Sequence, residues 1–266
     1  MAARYALLAL TCATALAPPC ALADTTGKAG FYVGAFGGTG ASIATSLQQR
    51  GAVHINERVS LPIHAKGSTN TSTRVGLGGL HIGYEWPRHR LGQSSWAVKP
   101  AVELEGIYIG KHSPTGEMPV RPQALGMQYV TVPTTLGLVL ANAVATFETP
   151  YSKHVLPYVG VGAGMAFVSI KGSDSANPSE PGINHFNSDP DASDSAFAMQ
   201  FKAGIKAEVT KNLSLFTEYR YLTVDSTSYR FGATVYPGVH LPTDTWRVNM
   251  GRQKFNLFVA GLQYRF

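Results

Sequence analysis

Eight stretches of this chain, 30–39, 74–86, 96–110, 130–147, 156–170, 196–209, 213–224 and 254–266, alternate apolar residues with polar or small ones. That period of two is the signature of β-strands with one apolar side. The connections alternate too. Residues 40–73, 111–129, 172–195 and 225–253 are long, whereas 87–95, 148–155 and 210–212 are short. A soluble sandwich has no reason to alternate connection lengths in this way. A barrel crossing a bilayer does, because such barrels have short turns on one side and longer loops on the other.

The closing stretch is the clearest. Phe258, Ala260, Leu262, Tyr264 and Phe266 share one face, with Gly261, Gln263 and Arg265 on the other. It has the length a transmembrane β-strand needs, roughly 9–11 residues, and with no segment after Phe266 to cover its apolar side, lipid is the natural cover. No apolar run approaches the roughly 20 residues of a membrane helix, so a spanning chain must use closed strands. The expected fold is all-β: an eight-stranded antiparallel transmembrane up-and-down barrel with long outward loops and short periplasmic turns.

The amino terminus indicates export. Arg4 precedes an apolar stretch, Ala6 to Ala17, and Ala21-Leu22-Ala23 is a small-x-small cleavage pattern, so 1–23 reads as a signal peptide and 24–266 as the barrel domain. Cys12 and Cys20 both fall in the leader, leaving no disulfide framework after it. The formal charge of +6, or +5 without Arg4, is scattered along the chain, and no nucleic-acid partner is expected.

The remaining strands fix which faces meet lipid. Leu80, Ile82, Tyr84 and Trp86 oppose His81 and Glu85, with Val75 and Leu77 out of phase, which predicts a bulge at Gly78-Gly79. Val102, Leu104 and Tyr108 oppose Glu103 and Glu105. Val130, Val132, Leu136, Leu138, Leu140 and Val144 share a face that is assigned to lipid. Val159, Val161, Met165 and Phe167 oppose Gly160, Gly162 and Gly164, as a narrow interior requires. Trp86, Trp96, Tyr264 and Phe266 mark the periplasmic boundary, and Tyr108, Phe197 and Tyr221 the outer one.

The glycine-rich PYVGVGAGMAF, the hairpin AGIKAEVTKNLSLFTEYRYL and the terminal GLQYRF resemble the eight-stranded surface-protein barrels of Gram-negative bacteria related to the membrane domain of outer-membrane protein A. The likeness runs from about Gly30 to Phe266. It implies residence in the cell outer membrane, contact with outer-membrane lipid and lipopolysaccharide, and recognition of Leu262, Tyr264 and Phe266 by the barrel-assembly machinery. It carries no catalytic signature, and the loops match no pattern of the family.

Inward-facing charges form the first candidate site: Lys99, Glu103, Glu105, Lys202, Lys206, Glu208, Glu218, Arg220 and Arg265. Eight strands leave room for little more than side chains, so these groups are expected to pair as a plug. The alternative is a narrow gated pore in which Glu103, Lys202 and Arg220 exchange partners. The second candidate is the last loop, whose Tyr229, Arg230, Phe231, Tyr236, Trp246 and Arg247 are residue types enriched in binding hot spots and suit a ligand or host surface molecule. A lipid-modifying enzyme is the remote reading, since no histidine precedes a serine by two positions. No cofactor or metal is expected. His54, His64, His89, His112, His154, His185 and His240 lie scattered through loops and turns. The functional expectation is an integral surface protein with a structural or host- and ligand-interaction role.

Overall fold

The computed structural model describes residues 29–69, 72–152 and 154–266, so the expected leader lies outside the described residues. Eight long strands form the wall: β1 (Gly30–Ile43), β2 (Ser72–Glu85), β3 (Ala97–His112), β4 (Thr134–Glu148), β5 (Val155–Ile170), β6 (Ala192–Glu208), β7 (Leu213–Val224) and β8 (Gln253–Arg265). Each pairs antiparallel with its sequence neighbours, and β1 pairs with β8, which closes the ring. Closure leaves no strand edge unpaired, the condition a sheet must meet where no water can bond its backbone.

The outward faces carry the expected apolar residues. Leu80, Leu104, Tyr108, Val161, Phe167, Met199 and Phe258 are all exposed on the barrel's outside. Opposite them, the inner glycines of β5 answer a steric need: a methyl on Gly160 would stand 3.0 Å from the Lys202 side chain, and one on Gly162 would overlap the Asn142 amide.

Three expectations are corrected. On β4, Leu136, Leu138, Leu140 and Val144 point inward and are buried, as are Val130 and Val132 before it, whereas Val139 is 50% exposed and shares the lipid face with Ala141 and Ala143. Size alone assigns the larger apolar face to lipid, but the outer half of this barrel's interior is itself apolar. For the same reason Val75 and Leu77 need no bulge at Gly78-Gly79. The register of β2 with both neighbours is continuous, and these residues sit inward in phase with His81.

The long connections, expected to be loops, are the third correction. They contain a seven-stranded sheet in the order 174–176, 127–131, 115–121, 59–69, 46–56, 246–250, 227–231. Its strands prolong the barrel strands and wrap a dry core that includes Leu47, Ile63, Met118, Val130, Tyr229, Phe231, Trp246 and Val248. The remaining arc is filled by the segment before β6. Ser173 N–H donates to the Pro190 carbonyl (2.9 Å), Gly232 N–H to Asp189 (2.8 Å), and Ser228 N–H to the Asp194 carboxylate (2.8 Å).

Val139→Arg should cost about 2–4 kcal/mol of folding stability in lipid vesicles, the usual penalty for a cation near the bilayer midplane. A denaturant titration checks this; unchanged stability would contradict the outward facing of Val139.

Candidate functional site

Two places concentrate functional chemistry: the polar interior of the periplasmic half and the folded cap. In the interior, Glu103 and Glu105 project from β3, Lys202 and Lys206 from β6, and Glu218 and Arg220 from β7, all because they occupy the inward parity of their strands. Arg220 is fully buried. It pairs with Glu105 (Nη1 to Oε1, 2.6 Å) and with Glu218, and its guanidinium lies 4.2 Å from the Phe36 ring centre. Asn142 (2.9 Å) and Gln200 (2.6 Å) donate to the second Glu105 oxygen.

One level nearer the periplasm, Lys202 pairs with Glu103, which also accepts from the Tyr32 hydroxyl (2.8 Å), while the Tyr158 hydroxyl donates to Glu218 (2.7 Å). Below that, Glu85 takes both Lys206 (3.3 Å) and Arg265. Four carboxylates, Glu85, Glu103, Glu105 and Glu218, therefore meet four cations, Lys202, Lys206, Arg220 and Arg265. Such neutrality is what allows charges to stay in a dry space. The cavity bordered by Glu85, Glu103, Lys202, Lys206 and Glu218 holds about 20 Å³, room for about one water molecule.

Lys99 stands apart at the periplasmic rim, bonded to Glu148 (2.7 Å), and Glu208 has no ion-pair partner among the described residues. Glu85, Asn142, Gln200, Tyr32 and Tyr158 join the network although they are not among the expected interior charges. Their inward parity is the sequence signal that selects them.

The last-loop candidates divide. Tyr229, Phe231 and Trp246 are 1–2% exposed and form the cap's core, Phe231 stacking on Phe186 at 4.4 Å, so they present nothing to a partner. Burial pushes the Tyr229 phenol well above its ordinary value. Tyr236 is half-buried and accepts the Asn184 N–H (3.2 Å), whereas Arg230 and Arg247 are exposed. At the mouth of the third connection Lys171 donates to Asp191 (2.8 Å). This contact, with the Gly172 N–H, holds the Asp191 carboxyl below the usual range and lifts Lys171.

The exposed arginines fall in register. Arg230 lies opposite Arg247, Arg247 opposite Arg50, Arg50 opposite His64, and His64 opposite Arg121, one row across five adjacent strands. All five side chains face outward and are exposed, and no ion pair engages them among the described residues. The expectation of histidines in loops and turns holds for His154, His185 and His240 but fails for four others, His89 pairing in a short strand with β3. His54 and His64 lie on strands of the cap and His112 ends β3. Glu180, His185 and His240 come together, with their ligand atoms all within 4.8 Å of one another.

A closed ring of eight antiparallel strands, apolar outside and ion-paired inside, defines a small membrane-spanning barrel. The family model described as "Outer membrane protein beta-barrel domain" matches residues 5–266, and the chain belongs to that family. It is a protein of the cell outer membrane, as the strand motifs implied. Among solved structures it is similar to Neisserial surface protein A, at 15% identity and TM-score 0.39, covering 90% of this chain and 99% of that one. It is also similar to OprG from Pseudomonas aeruginosa (13%, TM-score 0.45, 91% and 99%) and to the outer membrane protease OmpT from Escherichia coli (7%, TM-score 0.41, 92% and 99%). No curated protein matches the chain.

Arg220→Met should destabilise the barrel by about 3–5 kcal/mol, because Glu105 and Glu218 are left buried without their cation. Urea unfolding of the protein in micelles measures this, and a loss below about 1 kcal/mol would show that the network is hydrated.

Proposed function

We propose that this protein is a non-conducting surface protein of the outer membrane that works through its extracellular sheet, binding the anionic saccharide and phosphate groups of lipopolysaccharide. The row Arg230, Arg247, Arg50, His64, Arg121 is the observation behind this reading. Directly opposed residues on antiparallel strands lie about 4.5–5.5 Å apart, and like charges at that spacing destabilise a sheet. A row of them on an outward face makes physical sense when an external polyanion neutralises it. Arginine also suits phosphate, which its planar fork binds through two parallel hydrogen bonds.

The row stands seven residues along the wall from Lys254, the distance from Arg247, which sets it above the lipid band, at the level where sugars and phosphates rather than acyl chains surround the protein. A host polyanion would satisfy the same chemistry. Lipopolysaccharide is favoured because the row runs around the flank of the wall rather than across its tip. The terminal strand supports a further part of the reading: Leu262, Tyr264 and Phe266 line the outer face of β8 and its end, where assembly machinery would meet them.

Support for the closed interior comes from packing. The ion-paired layer is succeeded by Leu138, Leu140, Leu257 and Phe255, and then by the core of the cap, a packing that argues against a water path along the axis. An enzyme is not supported, since the interior charges are consumed in pairs and the outward row consists of four arginines and one histidine.

The test uses the refolded protein in micelles and purified lipopolysaccharide. A variant carrying Arg50→Ala, Arg230→Ala and Arg247→Ala should bind at least tenfold more weakly, and the salt dependence of binding should flatten with it. Binding equal to wild type, or unaffected by removing the saccharide's phosphates, would overturn the proposal. In planar bilayers the wild-type protein should give no channel events; steady conductance would restore the pore reading.

A further inference from the structure

The cap brings together three side chains from two different connections. Glu180 and His185 lie in the connection between β5 and β6, and His240 in the connection between β7 and β8. Glu180 Oε2 is 3.0 Å from His185 Nε2, and Glu180 Oε1 is 3.5 Å from His240 Nε2. The two imidazoles face each other edge to face with ring centres 5.3 Å apart.

The tautomers follow from the other ring nitrogens. His185 Nδ1 lies 2.7 Å from the Ser175 carbonyl oxygen, which can only accept, so Nδ1 carries the proton and donates it. The Gln128 amide nitrogen, 3.1 Å from the same Nδ1, donates one of its two hydrogens to the Ser175 hydroxyl at 2.7 Å, so the shorter contact to the Ser175 carbonyl sets the tautomer. His240 Nδ1 lies 2.5 Å from the Leu241 carbonyl and donates in the same way. In the neutral imidazoles both Nε2 atoms are left as lone pairs, and both are aimed at a carboxylate that is itself an acceptor. Three acceptors converging repel one another, and a cation placed between them removes the repulsion.

We propose that Glu180, His185 and His240 form a site for a divalent transition-metal ion of borderline softness, zinc above all, which clasps the third extracellular connection to the fourth. Two imidazoles and one carboxylate are a recurrent zinc set, with ligands about 2.0–2.2 Å from the ion, so that neighbouring ligand atoms of a tetrahedral site stand about 3.3 Å apart. The separations of 3.0 and 3.5 Å bracket that figure. A backbone carbonyl holding the non-ligating nitrogen of each histidine is the usual outer support of such sites, since it fixes the tautomer and turns the lone pair toward the metal. The fourth position has space, because a cavity of about 50 Å³ adjoins the three residues and is also lined by Gln128, Asn177 and Trp246. Nitrogen ligands disfavour calcium and magnesium, which take oxygen.

Access is open. Glu180 is 39% exposed at its side chain, so an ion reaches the site from outside the cell without passing through the barrel. The site shares no residue with the arginine row, so neither proposal depends on the other.

The experiment is a calorimetric titration of the refolded, chelator-treated full barrel in detergent micelles with zinc chloride, with calcium chloride as a control. One zinc per chain is expected, and no calcium. Glu180→Gln and His240→Ala, made at the more accessible ligands, should each weaken zinc binding by at least tenfold while keeping the heat-modifiable gel migration of the folded barrel. Cobalt in place of zinc should give the visible absorption of a four-coordinate ion, and either variant should abolish it. Absence of zinc binding in wild type would overturn the proposal, and so would unchanged affinity in the Glu180→Gln/His240→Ala double variant, which would assign the heat to exposed histidines such as His54.

Discussion

An eight-stranded ring has an interior about as wide as the side chains that point into it, and this volume limit governs the rest of the molecule. Inward residues are small, apolar or matched, with His81 the exception: it is buried among aromatic rings and neither ring nitrogen is hydrogen-bonded among the described residues. On the periplasmic side the chain meets the limit with charge, seating Arg220 between Glu105 and Glu218 and Lys202 against Glu103, opposite a glycine-lined stretch of β5 that makes room for the lysine stem. Toward the outside it meets the limit with Leu136, Leu138, Leu222 and Phe255, side chains that need no partner beyond one another. The bilayer adds the second constraint, that every backbone group be bonded within the ring.

The apolar half of the interior explains the cap. Had the wall ended at the membrane surface, Leu136, Val168 and Phe255 would border water. The long connections instead continue as strands and enclose a second core around Trp246, Phe231 and Phe186. Several polar groups inside it are bonded to one another: the Ser175 hydroxyl donates to Gln49 (3.1 Å), Gln128 to that hydroxyl, and the Trp246 indole to Thr234 (3.1 Å). A rigid cap is what lets outward side chains hold fixed spacing, whether they are the arginines of the row or the ligand atoms of Glu180, His185 and His240.

Much of this is legible in the residues. The eight strands, their order and the lipid face of most of them follow from period-two patterning, because one side of each strand has a single solvent. Size misleads on the fourth strand, where Val139, Ala141 and Ala143 meet the bilayer and the bulkier leucines fill the interior. Strand 46–56 is hidden for a different reason. Its inward Gln49 is polar and Gly51 packs against the Trp246 ring, so neither position shows the apolar mark that patterning relies on. Tyr229, Phe231 and Trp246 resemble a binding surface because aromatic residues in a polar loop suit contact and burial alike. The histidine pair is invisible in the sequence, since the two residues belong to different connections and only the folded cap brings them to Glu180.

Whether the barrel wall continues past the bilayer as folded sheet around a dry core can be decided by amide hydrogen exchange on the intact protein in micelles. Strands 46–56, 59–69 and 246–250 should exchange slowly, on the scale of the membrane-embedded strands. Exchange of those amides within seconds, at the rate of unstructured chain, would contradict a folded cap.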